Sequence, residues 1–194
     1  AQRELFEWTA QSSVPVLAYR EKTDQPDRIR SDWLGQLMLI EELAPGPALV
    51  PAQAQARIHM FGLANELMSP QGFMWQGRIA MSESYRDANM TETQRAFFGR
   101  GPFLGGKYAY NGRDMAPLEA MRETLRALAA VCRSNSSSPY LIGDTLTALD
   151  VYWVYASNFV SILPPEQLPV MRFNRAMYPA IHAALAAVDT SDVR

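Results

Sequence analysis

Ser31 stands where a helix with an apolar face is predicted to begin. A polar run from Tyr19 to Arg28 precedes it, and apolar residues then recur at helical spacing as far as Leu43. A helix N-terminus that carries a hydroxyl and unpaired backbone N–H groups is a ready binding site for a carboxylate. The sequence therefore predicts either a carboxylate-binding helix start at Ser31, or a helix for which Ser31 or Asp32 is simply the N-cap.

The other reactive residue types give weaker signals. The single cysteine, Cys132, cannot form an internal disulfide and lies in an apolar helical stretch, which favours a small buried side chain over a reactive thiol. His59 and His182 are far apart in the sequence, and neither has a cluster of potential ligands around it. We interpret both histidines as structural or surface residues, and we predict no metal site.

The segment from Tyr140 to Tyr155 predicts how one buried helix begins. Thr147 and Asp150 have the spacing of a capping box, in which each side chain bonds to the backbone N–H of the other residue. An acid at the third helical position also complements the positive end of the helix dipole. The residues that follow are apolar on most sides, so the pattern predicts a helix from Thr147 to about Ile162 at the centre of the core.

Two sequence strings carry a family resemblance. The string Gly143-Asp-Thr-Leu-Thr-Ala-Leu-Asp150, followed by an aromatic and apolar helix, resembles the core capping motif of glutathione transferases. The β-prone run Ser13–Tyr19 contains Val14-Pro15-Val16-Leu17, which resembles the strand of thioredoxin-like domains that begins with a cis proline. The resemblance implies a mainly α chain, in which a partial thioredoxin-like α/β part precedes the all-helical C-terminal domain of that family.

The resemblance also implies a glutathione site formed by Val14, Pro15, Arg30 and Ser31. In the family, the residue before the cis proline offers its main chain to the cysteinyl part of glutathione, and a Glu-Ser or Gln-Ser pair holds the γ-glutamyl end. Ser31 matches that pair, whereas Arg30 stands in place of the acid or amide. The residue that activates the thiol lies in a first βαβ unit, which we expect upstream of Ala1, so the resemblance assigns no catalytic residue within the chain.

The domain boundary is predicted in the proline-rich stretch 45–51, which cannot be helical throughout. Residues 1–44 then form the partial thioredoxin-like domain and residues 52–194 the helical domain. Predicted helices cover 52–68, about 73–85, a stretch that opens at Pro117, and a final one near 178–185, with a glycine-rich loop at 99–112. The resemblance implies that the first two of these helices line the pocket of a hydrophobic substrate, through Met60, Phe61, Met68 and Trp75, although residues at helical spacing are more often part of the core.

Composition excludes some partners. A net charge of −2 and an isoelectric point near 5.7 give no electrostatic footprint for nucleic acid or an anionic membrane. The cysteine content favours the cytoplasm weakly. The resemblance implies a homodimer, and the surplus of methionine and aromatic residues between Met60 and Trp75 is consistent with an apolar surface that a second copy covers.

Two functions remain open on the sequence. The first is a glutathione transferase, with glutathione as co-substrate, that conjugates or isomerises a small hydrophobic electrophile. The second is a non-catalytic binding or scaffold protein built on the same fold, since a fold does not by itself confer catalysis. Arg30 favours the second function, because it stands where the family has an acid or amide. Ser31 and Val14-Pro15 favour the first function, because they match the residues with which the family binds glutathione.

Overall fold

The structure, a computed structural model, describes residues 2–10, 14–24, 26–44, 46–94, 116–169 and 175–189. The chain forms two compact units, Ala1–Val50 and Pro51–Arg194. The first unit contains a short two-stranded sheet with helices, and the second is helical where it is described. The glycine-rich loop predicted at 99–112 lies outside the described residues.

The first unit is built around an antiparallel hairpin. Its elements are α1 (Gln2–Thr9), β1 (Leu17–Tyr19), β2 (Arg28–Arg30) and α2 (Trp33–Leu43). The prediction of a strand across residues 13–19 was too long, because pairing begins only at Leu17. Pro15 has no N–H to donate to a ladder, so the residues around it precede the strand.

Helix α2 is fixed by side-chain carboxylates near both ends. At its start, Asp32 has extended backbone angles, and its Oδ1 accepts a hydrogen bond from the Gly35 N–H at 2.7 Å. Towards its end, the carboxylate of Glu41 accepts from the N–H groups of Leu49 at 2.9 Å and Val50 at 3.3 Å. The proline-rich connection is therefore held to α2 as it leaves the first unit.

The helices of the second unit follow the predicted pattern closely. They are α3 (Ala54–Met68), α4 (Phe73–Asn89), α5 (Pro117–Ser134), α6 (Ala148–Ala156), a 3₁₀ turn (Ser157–Phe159) and α7 (Tyr178–Leu185). Proline occupies the first turn of α5 and of α7, where its missing N–H costs no helical hydrogen bond. Helix α3 packs against α6, and α4 packs against α5 and α7.

An aromatic cluster marks the centre of this core. The ring of Phe73 lies 6.1 Å from the rings of both Trp153 and Phe159, at separations typical of favourable aromatic pairs. A Cβ atom at Gly77 would lie 2.9 Å from the Phe159 ring, so α4 approaches this ring through a residue that has no side chain. The largest fully buried side chains of the second unit are Phe73, Met60, Leu67, Ile79, Met121, Leu125, Leu128, Leu149, Ile181 and Leu185.

Helix α6 ends earlier than predicted, at Ala156 and not near Ile162. The buried side chain of Asn158 explains the early end. Its Nδ2 donates to the carbonyls of Val154 and Tyr155 at 3.2 and 3.1 Å, and its Oδ1 accepts from the Leu163 N–H at 3.1 Å. These bonds satisfy backbone groups that a continued helix would pair within itself.

The expectation that α6 is surrounded by core was only partly right. Ala148, Leu149 and Trp153 are buried. Val151 and Val154 are 48% and 62% exposed, and they share one face with the equally exposed Tyr155. No helix in the described parts of the chain is long and apolar enough to cross a membrane.

Candidate functional site

The residues predicted to bind glutathione meet at one end of the hairpin. The register pairs Leu17 with Arg30, so the residues just before β1 and those just after β2 leave the sheet at the same end. Val14 is 73% exposed, and its peptide bond to Pro15 is cis, as the family resemblance implied. No described residue bonds to the main-chain N–H or C=O of Val14.

Ser31 lies one residue before the N-cap of α2. Of the two candidates for the N-cap, Ser31 and Asp32, the structure shows that Asp32 caps the helix. Carboxylate binding by Ser31 stays a prediction. The Ser31 side chain is half-buried, and it does not accept the capping hydrogen bond from the Gly35 N–H. The Asp32 carboxylate places a negative charge at the positive end of the helix and offsets part of its attraction for an anion. No hydrogen bond joins Asp32 Oδ2 to the described residues.

Arg30 points its guanidinium along the hairpin, where Nη1 donates to the Ile29 carbonyl at 2.9 Å. A Cβ at Gly35 would lie 2.9 Å from Arg30 Cδ, so the arginine stem passes directly over that glycine. Arg30 also lines a cavity of about 370 Å³ between β2 and α2, and the other lining residues are Arg28, Gly35, Met38, Leu39, Glu41 and Glu42.

Two of the residues that line this cavity, Arg28 and Glu42, form a bidentate ion pair. Arg28 donates from Nη1 and Nη2 to the two carboxylate oxygens of Glu42 at 2.7 and 2.6 Å. These hydrogen bonds lower the pKa of Glu42 and raise that of Arg28. The pair therefore ties β2 to the last turns of α2.

Gln36 was not identified from the sequence, yet it connects both halves of the predicted site. Its Nε2 donates to the Pro15 carbonyl at 2.9 Å and to the Arg30 carbonyl at 3.3 Å. The sequence gives no indication of these partners of Gln36, because Pro15 is 21 residues away along the chain.

The predicted hydrophobic pocket residues of the second unit differ in their surroundings. Met60 has no exposed surface, so its side chain contributes to the packing of the core. Phe61, Met68 and Trp75 are half-buried. The guanidinium carbon of Arg78 lies 5.2 Å from the centre of the Trp75 ring, within the range of a cation–π contact. A substrate pocket formed by these side chains stays a prediction.

The capping motif has more partners than the sequence predicted. Asp150 Oδ2 accepts from the N–H and the hydroxyl of Thr147, at 2.7 and 2.8 Å, and the two residues form a capping box. Asp150 Oδ1 also accepts from the Leu141 N–H at 2.8 Å. The loop before α6 is held again by Asn135, whose Nδ2 donates to the carbonyls of Tyr140 and Gly143 at 2.9 and 2.8 Å. Gly143 has a positive φ of 63°, which favours glycine.

Residues 77–188, more than half of the chain, match the family described as glutathione S-transferase, C-terminal domain. The chain belongs to the glutathione S-transferase superfamily. Both Thr147 and Asp150 lie within the matched region of the transferase domain. A search among curated proteins found no match.

The described residues do not contain an obvious group for activating the thiol in this transferase-like chain. Burial raises the pKa values of Tyr152 and Tyr178, so both phenols remain protonated at neutral pH. No three histidine, cysteine or acidic side chains are grouped for metal binding in the part of the chain that the structure describes.

Proposed function

We propose that the protein binds glutathione at the open end of the β1–β2 hairpin and joins the glutathione sulfur to a small hydrophobic electrophile. Membership of the glutathione S-transferase superfamily supports the proposal. The observation that carries it is the hairpin register, because pairing of Leu17 with Arg30 brings Val14, whose main chain bonds to no described residue, to the same end as Ser31. An extended tripeptide can bond to both.

Each group has a defined role in this proposal. The Val14 N–H and C=O pair with the main chain of the cysteinyl residue, in the manner of an added strand. The hydroxyl of Ser31 donates to the γ-glutamyl carboxylate, and a charge-assisted bond of this kind is stronger than a neutral one. Arg30 has the same sign as the ligand ammonium and cannot pair with it. Asp32 Oδ2 has the opposite charge and is left without a described donor.

The reaction itself is a nucleophilic substitution or addition. The thiol proton passes to solvent, and the glutathione thiolate forms a C–S bond to the electrophilic carbon. In substitution the leaving group departs with the electron pair of the broken bond. In addition the π bond of the electrophile breaks, and its electron pair takes up a proton from solvent. We assign no described residue to thiol activation.

Titration calorimetry of the natural full-length protein with glutathione tests the binding site. We expect Ser31→Ala to weaken binding by about 1–2 kcal/mol, since a hydrogen bond to a charged group is lost. Ser137→Ala, at an exposed loop position in the second unit, is the matched control and should leave the affinity unchanged. Asp32→Asn keeps an acceptor for the Gly35 N–H but removes the charge, so it should weaken binding of glutathione more than binding of an analogue without the amino group.

Failure of the unaltered protein to bind glutathione would reject the proposed function. Binding that does not change in Ser31→Ala would reject only the role of Ser31. The alternative, a non-catalytic binding protein, is distinguished by following consumption of the thiol with an activated aryl halide. Binding of glutathione without faster thiol consumption would support that alternative.

A further inference from the structure

Gln36 occupies a place where the hairpin ladder ends. The last described strand pair is Leu17 with Arg30, so residues 14–16 are outside the β1–β2 pairing. The Gln36 amide bridges this gap by donating to the carbonyls of Pro15 and Arg30. A terminal amide has two N–H donors, so both bonds can form at the same time.

The two carbonyls belong to residues adjacent to the proposed glutathione contacts. Pro15 directly follows Val14, and Arg30 directly precedes Ser31. Fixing these carbonyls fixes the separation between the main-chain groups of Val14 and the hydroxyl of Ser31. Because an extended ligand must reach both, a change in that separation would cost binding energy even though Gln36 does not touch the ligand.

We propose that Gln36 is a positioning residue, whose amide sets the spacing of the two halves of the glutathione site. This inference rests on the proposed function. It is distinct from the general attachment of α2 to the hairpin, because the bidentate pair of Arg28 with Glu42 supplies a second attachment. That pair lies at the far end of both β2 and α2 from Ser31, and it offers a matched control.

Three variants of the natural full-length protein test the inference. Gln36→Met keeps a side chain of similar length but loses both donors. Gln36→Glu places a carboxylate against two carbonyl oxygens at neutral pH. Glu42→Gln weakens the attachment at the other end of α2 and leaves the Gln36 bonds in place. Glutathione affinity is measured by calorimetry at a temperature where every variant is folded, and thermal stability is measured separately.

We expect Gln36→Met to raise the Kd for glutathione about tenfold, the effect of about one lost hydrogen bond to a positioned group. Gln36→Glu should raise it further. Glu42→Gln should lower the melting temperature without a change in Kd. Backbone NMR order parameters of Val14, Val16 and Ser31 without ligand should fall in Gln36→Met and stay unchanged in Glu42→Gln.

Three results would overturn the inference, and only one of them also rejects the proposed function. If the unaltered protein binds glutathione and Gln36→Met binds it equally well, Gln36 has no positioning role and the proposed function stands. If the unaltered protein does not bind glutathione, the proposed function fails and the inference fails with it. A Gln36→Met variant that loses stability in proportion to Glu42→Gln, with equal Kd values, would likewise show a purely structural role.

Discussion

Replacement of Asp150 by alanine removes the acceptor of three hydrogen bonds at the start of α6. Two of the donors are the backbone N–H groups of Thr147 and Leu141, and both residues are only 4% exposed. A buried donor without a partner costs about 1–3 kcal/mol. Two such donors without partners therefore predict a loss of about 2–6 kcal/mol in the free energy of unfolding, and partial access of water to the loop would give a loss at the lower end of that range.

Thermal denaturation followed by circular dichroism measures this loss. For a chain of this length, 1 kcal/mol changes the melting temperature by about 2–4 °C, so Asp150→Ala should lower it by roughly 4–24 °C. Thr147→Val is the matched variant, because it keeps the shape of the side chain and removes only the bonds that the Thr147 hydroxyl makes with Asp150. It should cost about 0.5–1.5 kcal/mol.

Glutathione affinity per folded molecule should remain unchanged in both variants, since Asp150 lies in the second unit and the proposed site in the first. A melting temperature of Asp150→Ala equal to that of the unaltered protein would refute the structural role. So would a loss in Thr147→Val as large as that in Asp150→Ala, because the two N–H groups would then contribute nothing.

Three further predictions concern packing, pH dependence and assembly. Gly77→Ala should destabilise the chain by about 1–3 kcal/mol in urea denaturation, because its Cβ would meet the Phe159 ring at 2.9 Å. Gly62→Ala, whose Cβ meets nothing within 4 Å in α3, should instead stabilise it by up to about 1 kcal/mol. The pKa of Glu42 is lowered in the folded state by its hydrogen bonds with Arg28. The stabilisation is therefore present above the ordinary value of 4.5 and is lost as the pH falls through the folded pKa, so the stability difference from Glu42→Gln should vanish in acid. Light scattering at micromolar concentration should give twice the 21.7 kDa chain mass if the expected homodimer forms, and a monomer would contradict that expectation.

The sequence by itself determined the features that depend on neighbouring residues. The start of α6 at Thr147, the first turn of α5 at Pro117 and the span of α7 follow from capping and proline chemistry, which act within a few residues. The same local signals identified the family, since the motif that ends at Asp150 lies within the matched region.

Only the tertiary structure decided the features that depend on distant partners or on burial. The early end of α6 needs the buried Asn158 side chain, and full burial of Met60 needs the helices packed around it. The choice of Asp32 as the cap of α2 could not be made from sequence, since serine and aspartate cap almost equally well. Gln36 could not be recognised because its partner, Pro15, comes close only when the hairpin folds against α2. Hydrogen bonds of this kind have no period or spacing in the sequence, so folding alone brings their donors and acceptors together.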